Sequence, residues 1–397
     1  ALGYATSVIH IYGLGPYIEP IQEAFGWSRT QVTSGLTIAT VINAVFCIAI
    51  GMLVDRIGPR TVGLVGVLLT TGAFALLSTA TGEQANWILL WSMLAFATLP
   101  VQATIWTSAV ASRFATSRGM ALAVTLSGAS LAATVFPLLA TWLIDTYGWR
   151  TAFAVEGGIW VAITFPLLLL FFRGARDVKS AEQQEATNMA APLTGVSAAE
   201  GLRSLVFARL FVASVLFTFT IIALVVHFIP ILTNAGTERL AAASVASLIG
   251  ISSVVGRLGT GYLLDHFRAS RVGAVIFLLP ILACVLLLQG GPNALAQSAA
   301  AIVIGLTLGS EIDVIVYLTT KHFGLKNFGT IYGGLLTALS IGTAFGPLAA
   351  AAVYDHSGSY VPFLLLTIVF MAGSSLALAS LPQPDNSHNT RAPGAGV

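Results

Sequence analysis

Seven long stretches of this chain contain no Lys, Arg, Asp or Glu: 61–82, 84–112, 119–144, 210–237, 272–310, 327–354 and 356–384. A helix needs about 20 apolar residues to cross the hydrocarbon core of a bilayer. Each stretch is long enough, and Gly290-Gly291-Pro292-Asn293 divides the longest into two spans. Charged residues make up 9% of the chain, where soluble domains carry about 25%; a water-exposed surface of this size could not be covered. In lipid, backbone polar groups must be satisfied within a helix or a closed barrel. The runs show no alternation of period two, so they predict helices. The predicted spans are 1–18, 30–54, 61–81, 86–110, 117–143, 149–172, 206–232, 240–264, 271–289, 294–319, 328–354 and 359–381.

The chain also contains itself twice, 210 residues apart. Gly51-Met52-Leu53-Val54-Asp55 returns as Gly261-Tyr262-Leu263-Leu264-Asp265. Pro137, Asp145, Gly148 and Phe153 return as Pro347, Asp355, Gly358 and Phe363. Gly26, Arg29 and Gly119 return as Gly236, Arg239 and Gly329. A constant offset means a duplicated module, and two hydrophobic copies mean a membrane protein of two parallel halves. The expectation is an all-α membrane protein of twelve transmembrane helices in two pseudo-symmetric six-helix bundles, 1–172 and 206–381. A polar linker, 173–205, joins them, and a polar tail follows at 382–397. The chain starts inside its first span without Met, so residues ahead of it are expected.

Of the 18 Lys and Arg residues, fourteen fall in loops, linker and tail on the side shared by both termini. Arg29, Arg150 and Arg239 fall on the other side. The positive-inside rule then makes both termini cytoplasmic. Cys47 and Cys284 lie within spans and have no reason to pair.

The remaining basic residue, Arg257, lies inside the eighth span. An ionisable group within the hydrocarbon is a functional candidate by default. Arg257 precedes Asp265 by eight residues, and Asp313 precedes Lys321 by eight, so both side chains sit roughly 12 Å from the same boundary. Their counterparts in the first copy are Cys47 and Ala103, and that of Glu311 is Val101, so the fold itself does not require charge there. Glu311 and Asp313 are two residues apart and cannot share a helix face. Asp313 shares a face with Tyr317, which favours Asp313 for the central cavity. An Arg offers a planar fork for a carboxylate. The pair Arg257–Asp313 is expected in the empty site, either to be opened by substrate or to persist as a structural bridge. His10, at mid-depth in the first span, titrates near neutral pH and is a candidate for proton or substrate, or a packing histidine. His227 is a candidate outer-gate residue or an interfacial one. Asn43, Gln102 and Trp106 are candidate cavity groups, the last two on one face at i, i+4.

Gly51-x-Leu53-x-Asp55-Arg56-x-Gly58-x-Arg60 resembles the signature loop of the major facilitator superfamily; the second copy, at Asp265, is degraded by His266. Asp55 near a helix N-terminus is favoured by its partial positive charge. Arg56 and Arg60 are placed to pair across the seam between halves when the cytoplasmic side is shut, or serve only as topological anchors. A narrower resemblance rests on Phe25-Gly26-Trp27-Ser28-Arg29, Arg118-Gly119-Met120-Ala121, Gly148-Trp149-Arg150-Thr151-Ala152-Phe153, Glu311-Ile312-Asp313 and Phe328-Gly329-Thr330-Ile331-Tyr332-Gly333. These are similar to the bacterial branch of the monocarboxylate transporter family and to the oxalate:formate antiporter. The resemblance implies transport of small organic anions, usually with a proton, in a bacterial inner membrane. Two departures matter. No Lys occurs in 328–354, which disfavours a dicarboxylate, and Ser253 stands four residues before Arg257 where animal members carry Asp. The string Gly342-Thr343-Ala344-Phe345-Gly346-Pro347 reads as close helix packing by small residues.

There is no phosphate-binding Gly-Lys-Ser/Thr loop, no metal-ligand cluster, no nucleophile–base pair and no concentrated basic patch for nucleic acid. The expectation is a monomeric secondary transporter, not an enzyme, moving a small organic monocarboxylate by alternating access with a symported proton and no cofactor. The alternative is an exporter or exchanger of hydrophobic compounds or organic anions. Arg257 and Ser253 would bind substrate, with His10, Asn43, Gln102, Trp106 and Tyr317. Asp313, Glu311, His10 or His227 would carry the proton, and Asp55, Arg56, Arg60 and Asp265 would gate the inner side.

Overall fold

A computed structural model describes residues 1–111, 124–172, 195–289, 291–324 and 326–383. The long helices are α4 (Arg29–Ile57), α5 (Pro59–Leu76), α6 (Gln84–Thr98), α8 (Gly128–Tyr147) and α9 (Trp149–Phe171) in the first copy. In the second they are α11 (Leu205–Asn234), α12 (Arg239–His266), α13 (Ala269–Leu288), α14 (Ala294–Phe323), α15 (Phe328–Ser357) and α16 (Val361–Ala379). Shorter pieces are α1 (Leu2–Ser7), α2 (Ile9–Tyr12), α3 (Ile18–Phe25), α7 (Ala103–Ala111) and α10 (Ala198–Arg203). Among the described residues, ten helical segments are long and apolar enough to cross a membrane. Large apolar side chains such as Leu89, Leu170, Val255, Val369 and Leu376 stand exposed on the outside of the bundle. On a soluble protein such a surface would aggregate; against lipid tails it is the proper face.

Two predicted spans are broken. The first divides into α1, α2, a 3-10 turn at Gly15–Tyr17, and α3. Gly13, Gly15 and Pro16 fall within four residues, and proline supplies no backbone N–H to continue the ladder. The fourth breaks at the 3-10 turn Leu99–Val101, which holds Pro100, and Gln102 follows in an extended conformation (ψ 162°). The duplicated glycines have a conformational reason. Gly148 and Gly358 each take positive φ, 78° and 68°, where their helices end and the chain turns back.

Within the second copy α12 packs along α14, α11 along α15, and α13 along α16. The copies meet through α8 against α12 and through α4 against α15. The 210-residue offset carries α4 onto α12 and α8 onto α15. These two cross-copy contacts are therefore images of one another. The broken first span packs between them, its Gly15–Tyr17 turn against α11.

Candidate functional site

Glycine brings the charged helices together. A Cβ on Gly309 of α14 would overlap the carbonyl of Ser253, and one on Gly256 of α12 would overlap the carbonyl of Leu306. With no side chain at either position, α12 and α14 touch backbone to backbone. Arg257 follows one of these glycines and Glu311 lies two residues beyond the other. Ser310 Oγ lies 2.6 Å from Thr260 Oγ1 across the same contact.

A cavity of about 180 Å³ opens beside this contact, lined from both copies. Tyr4, Val8 and Tyr12 of the broken span and Ser130 of α8 form one wall; Thr218, Ser253, Arg257, Glu311 and Thr343 form the other. Arg257 Nη1 donates to Asp313 Oδ1 at 3.2 Å. Its Nε is buried without a partner. A buried donor left unmatched costs about 1–3 kcal/mol, and more when charged, so this guanidinium is poised to take an acceptor. Thr218 Oγ1 donates to Glu311 Oε1. Ser253 Oγ lies 2.6 Å from Ser130 Oγ, a polar contact between the copies. Among the described residues the wall offers one guanidinium, one carboxyl and several hydroxyls around a space open to small solutes, with a second carboxyl, Asp313, behind the guanidinium.

The structure redistributes the residues expected here. Arg257, Ser253 and Glu311 line the cavity. Asp313 pairs with Arg257 but is not on the cavity wall, so the preference for Asp313 over Glu311 as the cavity-facing acid is corrected. Sharing a helix face with Tyr317 does not put Asp313 on the wall, because Tyr317 itself packs half-buried against the core with Lys321 Nζ 5.4 Å from its ring centre. Trp106 is not a cavity wall: its Nε1 donates to Val101 O at 2.7 Å and its ring packs on Phe172, Gly3 and Gly63. The break after Pro100 removes the continuous helix on which Gln102 and Trp106 were to share a face. Asn43 bonds Thr98 (3.2 Å), joining α4 to α6 inside the first copy. His10 is buried away from the cavity wall with its ring edge on Trp91, and its Nδ1 has no partner. His227 is fully buried rather than interfacial, with Nδ1 2.7 Å from Tyr360 Oη and Nε2 2.9 Å from Pro347 O. Gly342 and Gly346 lie against the backbone of Phe219, as close packing requires. The side chains of Asp55 and Arg56 lie outside the described residues. Arg60 donates to Leu169 O at 2.9 Å, within the first copy, and Asp265 is exposed at the end of α12.

One constellation was not anticipated. Asp355 at the end of α15 accepts the backbone N–H of Arg29 (2.9 Å) and of Thr30 (2.8 Å), and the Thr30 hydroxyl (2.5 Å). It thus caps the N-terminus of α4 from the other copy. The Arg29 guanidinium lies 3.7 Å over the Tyr354 ring, bonds Tyr360 Oη and Gln22, and meets Glu19 at 3.4 Å. Thr233 donates to Glu19 at 2.8 Å. The repeat-related pair is also joined: Arg239 meets Asp145 at 3.6 Å and donates to Pro16 O at 3.2 Å. The signal was available, since Arg29 and Arg239, and Asp145 and Asp355, are spaced by the same 210 residues.

A model of the Major Facilitator Superfamily matches residues 1–333. Monocarboxylate transporter 13 of Bos taurus is 26% identical over 334 residues, covering 82% of this chain and 74% of that protein. The MFS-type transporter YhjX of Escherichia coli (strain K12) is 25% identical over 322 residues, covering 79% and 77%. A gallate transporter of Pseudomonas putida is 24% identical over 401 residues, covering 92% and 86%. With two packed sets of apolar helices, a shared central cavity and a family match over most of its length, this chain belongs to the Major Facilitator Superfamily and is a membrane transporter, not an enzyme.

Proposed function

We propose that this transporter carries a small organic monocarboxylate across the membrane together with a proton, as a bacterial relative of the monocarboxylate transporters. The observation that carries the reading is Arg257, a guanidinium on the wall of the central cavity with one unmatched donor. Asp313 neutralises it while the site is empty. An arriving carboxylate takes up the free donor and displaces Asp313. Among the described residues one cation lines the cavity, which suits a monoanion. The names of two similar proteins, a monocarboxylate transporter and a gallate transporter, support the same chemistry. A symported proton cancels the anion's charge, which otherwise costs about 2.3 kcal/mol per 100 mV of membrane potential.

In this reading residues 1–172 and 206–381 rock as two units about the cavity, joined by 173–205, in a monomer with cytoplasmic termini. The end that holds Arg29, Asp145, Arg239 and Asp355 faces outward, and the conformation is closed on that side.

Uptake into proteoliposomes tests it. A panel of lactate, benzoate and gallate, with an inward proton gradient, should include an acid that the protein accumulates. Arg257→Ala should abolish that accumulation and Arg257→Lys should reduce it strongly, because a point charge does not replace the planar fork. Near-normal transport in both variants removes Arg257 from the site. Uptake that needs internal substrate and ignores the proton gradient makes the protein an exchanger.

A further inference from the structure

A symported proton needs a carrier, and the first copy holds a carboxyl away from the wall of the central cavity. Glu156 on α9 is completely buried. Its Oε2 accepts the Tyr17 hydroxyl at 2.8 Å, and its Oε1 is buried with no partner. The surroundings are apolar. Tyr17 stacks on Phe153 with ring centres 3.7 Å apart, and Phe74 lies edge-on to both rings. A Cβ on Gly157 would lie 2.8 Å from Thr71 O, so α9 is tight against α5. The segments packed most closely against α9 are α5, α8, α1 and the Leu77–Thr79 turn, and the Gly15–Tyr17 turn reaches it through Tyr17. Apart from Tyr17, their ionisable groups are occupied elsewhere: Arg60 bonds Leu169 O, Asp145 meets Arg239, Tyr147 is exposed against Trp142, and Tyr4 lies on the cavity wall. On α9 itself Arg150 bonds Ser78 O. Among the described residues no cation pairs with Glu156. An ionised carboxylate buried without one costs several kcal/mol, so this closed arrangement favours the neutral acid.

A connected set of contacts leads from this carboxyl to the ties between the copies. Arg239, held by Asp145 of the first copy, donates to the carbonyl of Pro16. Pro16 precedes Tyr17, which covers Glu156. On the other side, Gly13 is the residue beside Oε1: a Cβ there would lie 3.7 Å from it. Tyr12, next in the chain, lines the central cavity. Glu156 therefore stands between the clasped end and the cavity, beneath a stretch of backbone already broken at Val8 and at Gly13–Pro16.

We propose that Glu156 is the site that binds the coupling proton. When Arg239 lets go of Pro16 the Gly15–Tyr17 turn is free to move, and outer water delivers a proton to the Glu156 carboxylate, forming the acid. When the clasp closes, the acid is sealed from the outside; on the inward side the O–H bond breaks and the proton leaves to water in the cavity at Tyr12. The inference rests on the proton-symport reading, and one experiment separates the two.

Glu156→Gln and Glu156→Asp are compared in proteoliposomes with whichever of lactate, benzoate or gallate the wild type accumulates. Two modes are read: accumulation driven by an inward proton gradient, and exchange against internal substrate with no gradient. Gln is neutral and the same shape, and it keeps an acceptor for Tyr17. The expected result is that Gln exchanges at wild-type rates but loses accumulation at least tenfold, whereas Asp retains part of it. A purely structural glutamate gives the opposite order, with Gln normal and the shorter Asp impaired, and that order overturns the proposal. A Gln variant that neither exchanges nor folds also overturns it, because a neutral isostere should be tolerated where the neutral acid sits. If the wild type itself shows no proton-driven accumulation, the symport reading fails instead.

Discussion

The carboxylate of Asp355 and the backbone N–H of Arg29 are 2.9 Å apart, although the two residues belong to different copies. A helix in one half is thus capped by a side chain of the other. The cap exists only while the halves are together at that end, so its free energy enters directly into the balance between conformations.

Asp355→Ala removes acceptors for two backbone N–H groups and the Thr30 hydroxyl. Loss of an N-cap costs about 0.5–2 kcal/mol, which raises the population open at that end by roughly two- to thirtyfold. Spin labels on the loops before α4 and before α12 should show a longer distance component in the variant. An unchanged distance distribution would mean that the cap does not hold the end shut.

Asp313→Asn weakens the partner of Arg257 without emptying its place. Less competition at the guanidinium should lower KM for the transported acid by about tenfold, equivalent to ~1.4 kcal/mol. Turnover should fall at the same time, because release is slower from an unchallenged cation. A raised KM would show that Asp313 helps to hold substrate.

Gly309→Val places a branched three-carbon side chain where α12 and α14 touch at the Ser253 carbonyl. Overpacking of this kind costs about 1–3 kcal/mol, and here it also pushes Arg257 away from Glu311. The expected outcome is a lower Tm together with weaker substrate binding, read by thermal shift with and without the acid. Stability equal to wild type would place the two helices further apart than described.

Trp106→Phe separates packing from recognition. It removes the hydrogen bond to Val101 O, worth about 0.5–1.5 kcal/mol. Tm should fall while KM stays unchanged. A change in KM would return Trp106 to the substrate path.

Much of this architecture is legible in the residues. Charge-free runs locate most of the long helices to within a few residues, because in lipid little else can be built from them; α4, α9 and α12 carry charge and were legible from their apolar length and the repeat. Equal spacing from Asp265 and Lys321 placed Arg257 and Asp313 at one depth, and they do meet. Legibility fails where a helix stops being ideal. Pro100 and the Gly13–Pro16 region break two spans, so the face of Gln102 and the surroundings of His10 do not follow from helical period. It fails again where partners are distant along the chain. The burial of His227 depends on Tyr360 and Pro347, more than 100 residues away in the chain. The Arg29 and Asp355 positions were visible as repeats, yet a repeat tells which residues correspond and not which touch.

The pairing between copies has a consequence for how such a molecule can arise. Each six-helix unit contains both an Arg at the start of its second span and an Asp at the end of its fifth. Each Arg is joined to the Asp of the opposite unit. A lone unit therefore carries key and lock together, and two identical ones related by a twofold rotation would satisfy each other. Fusion of two such units would need no new surface to be invented, and the charges at Arg257, Glu311 and Asp313, which stand in one half alone, are no part of that joint.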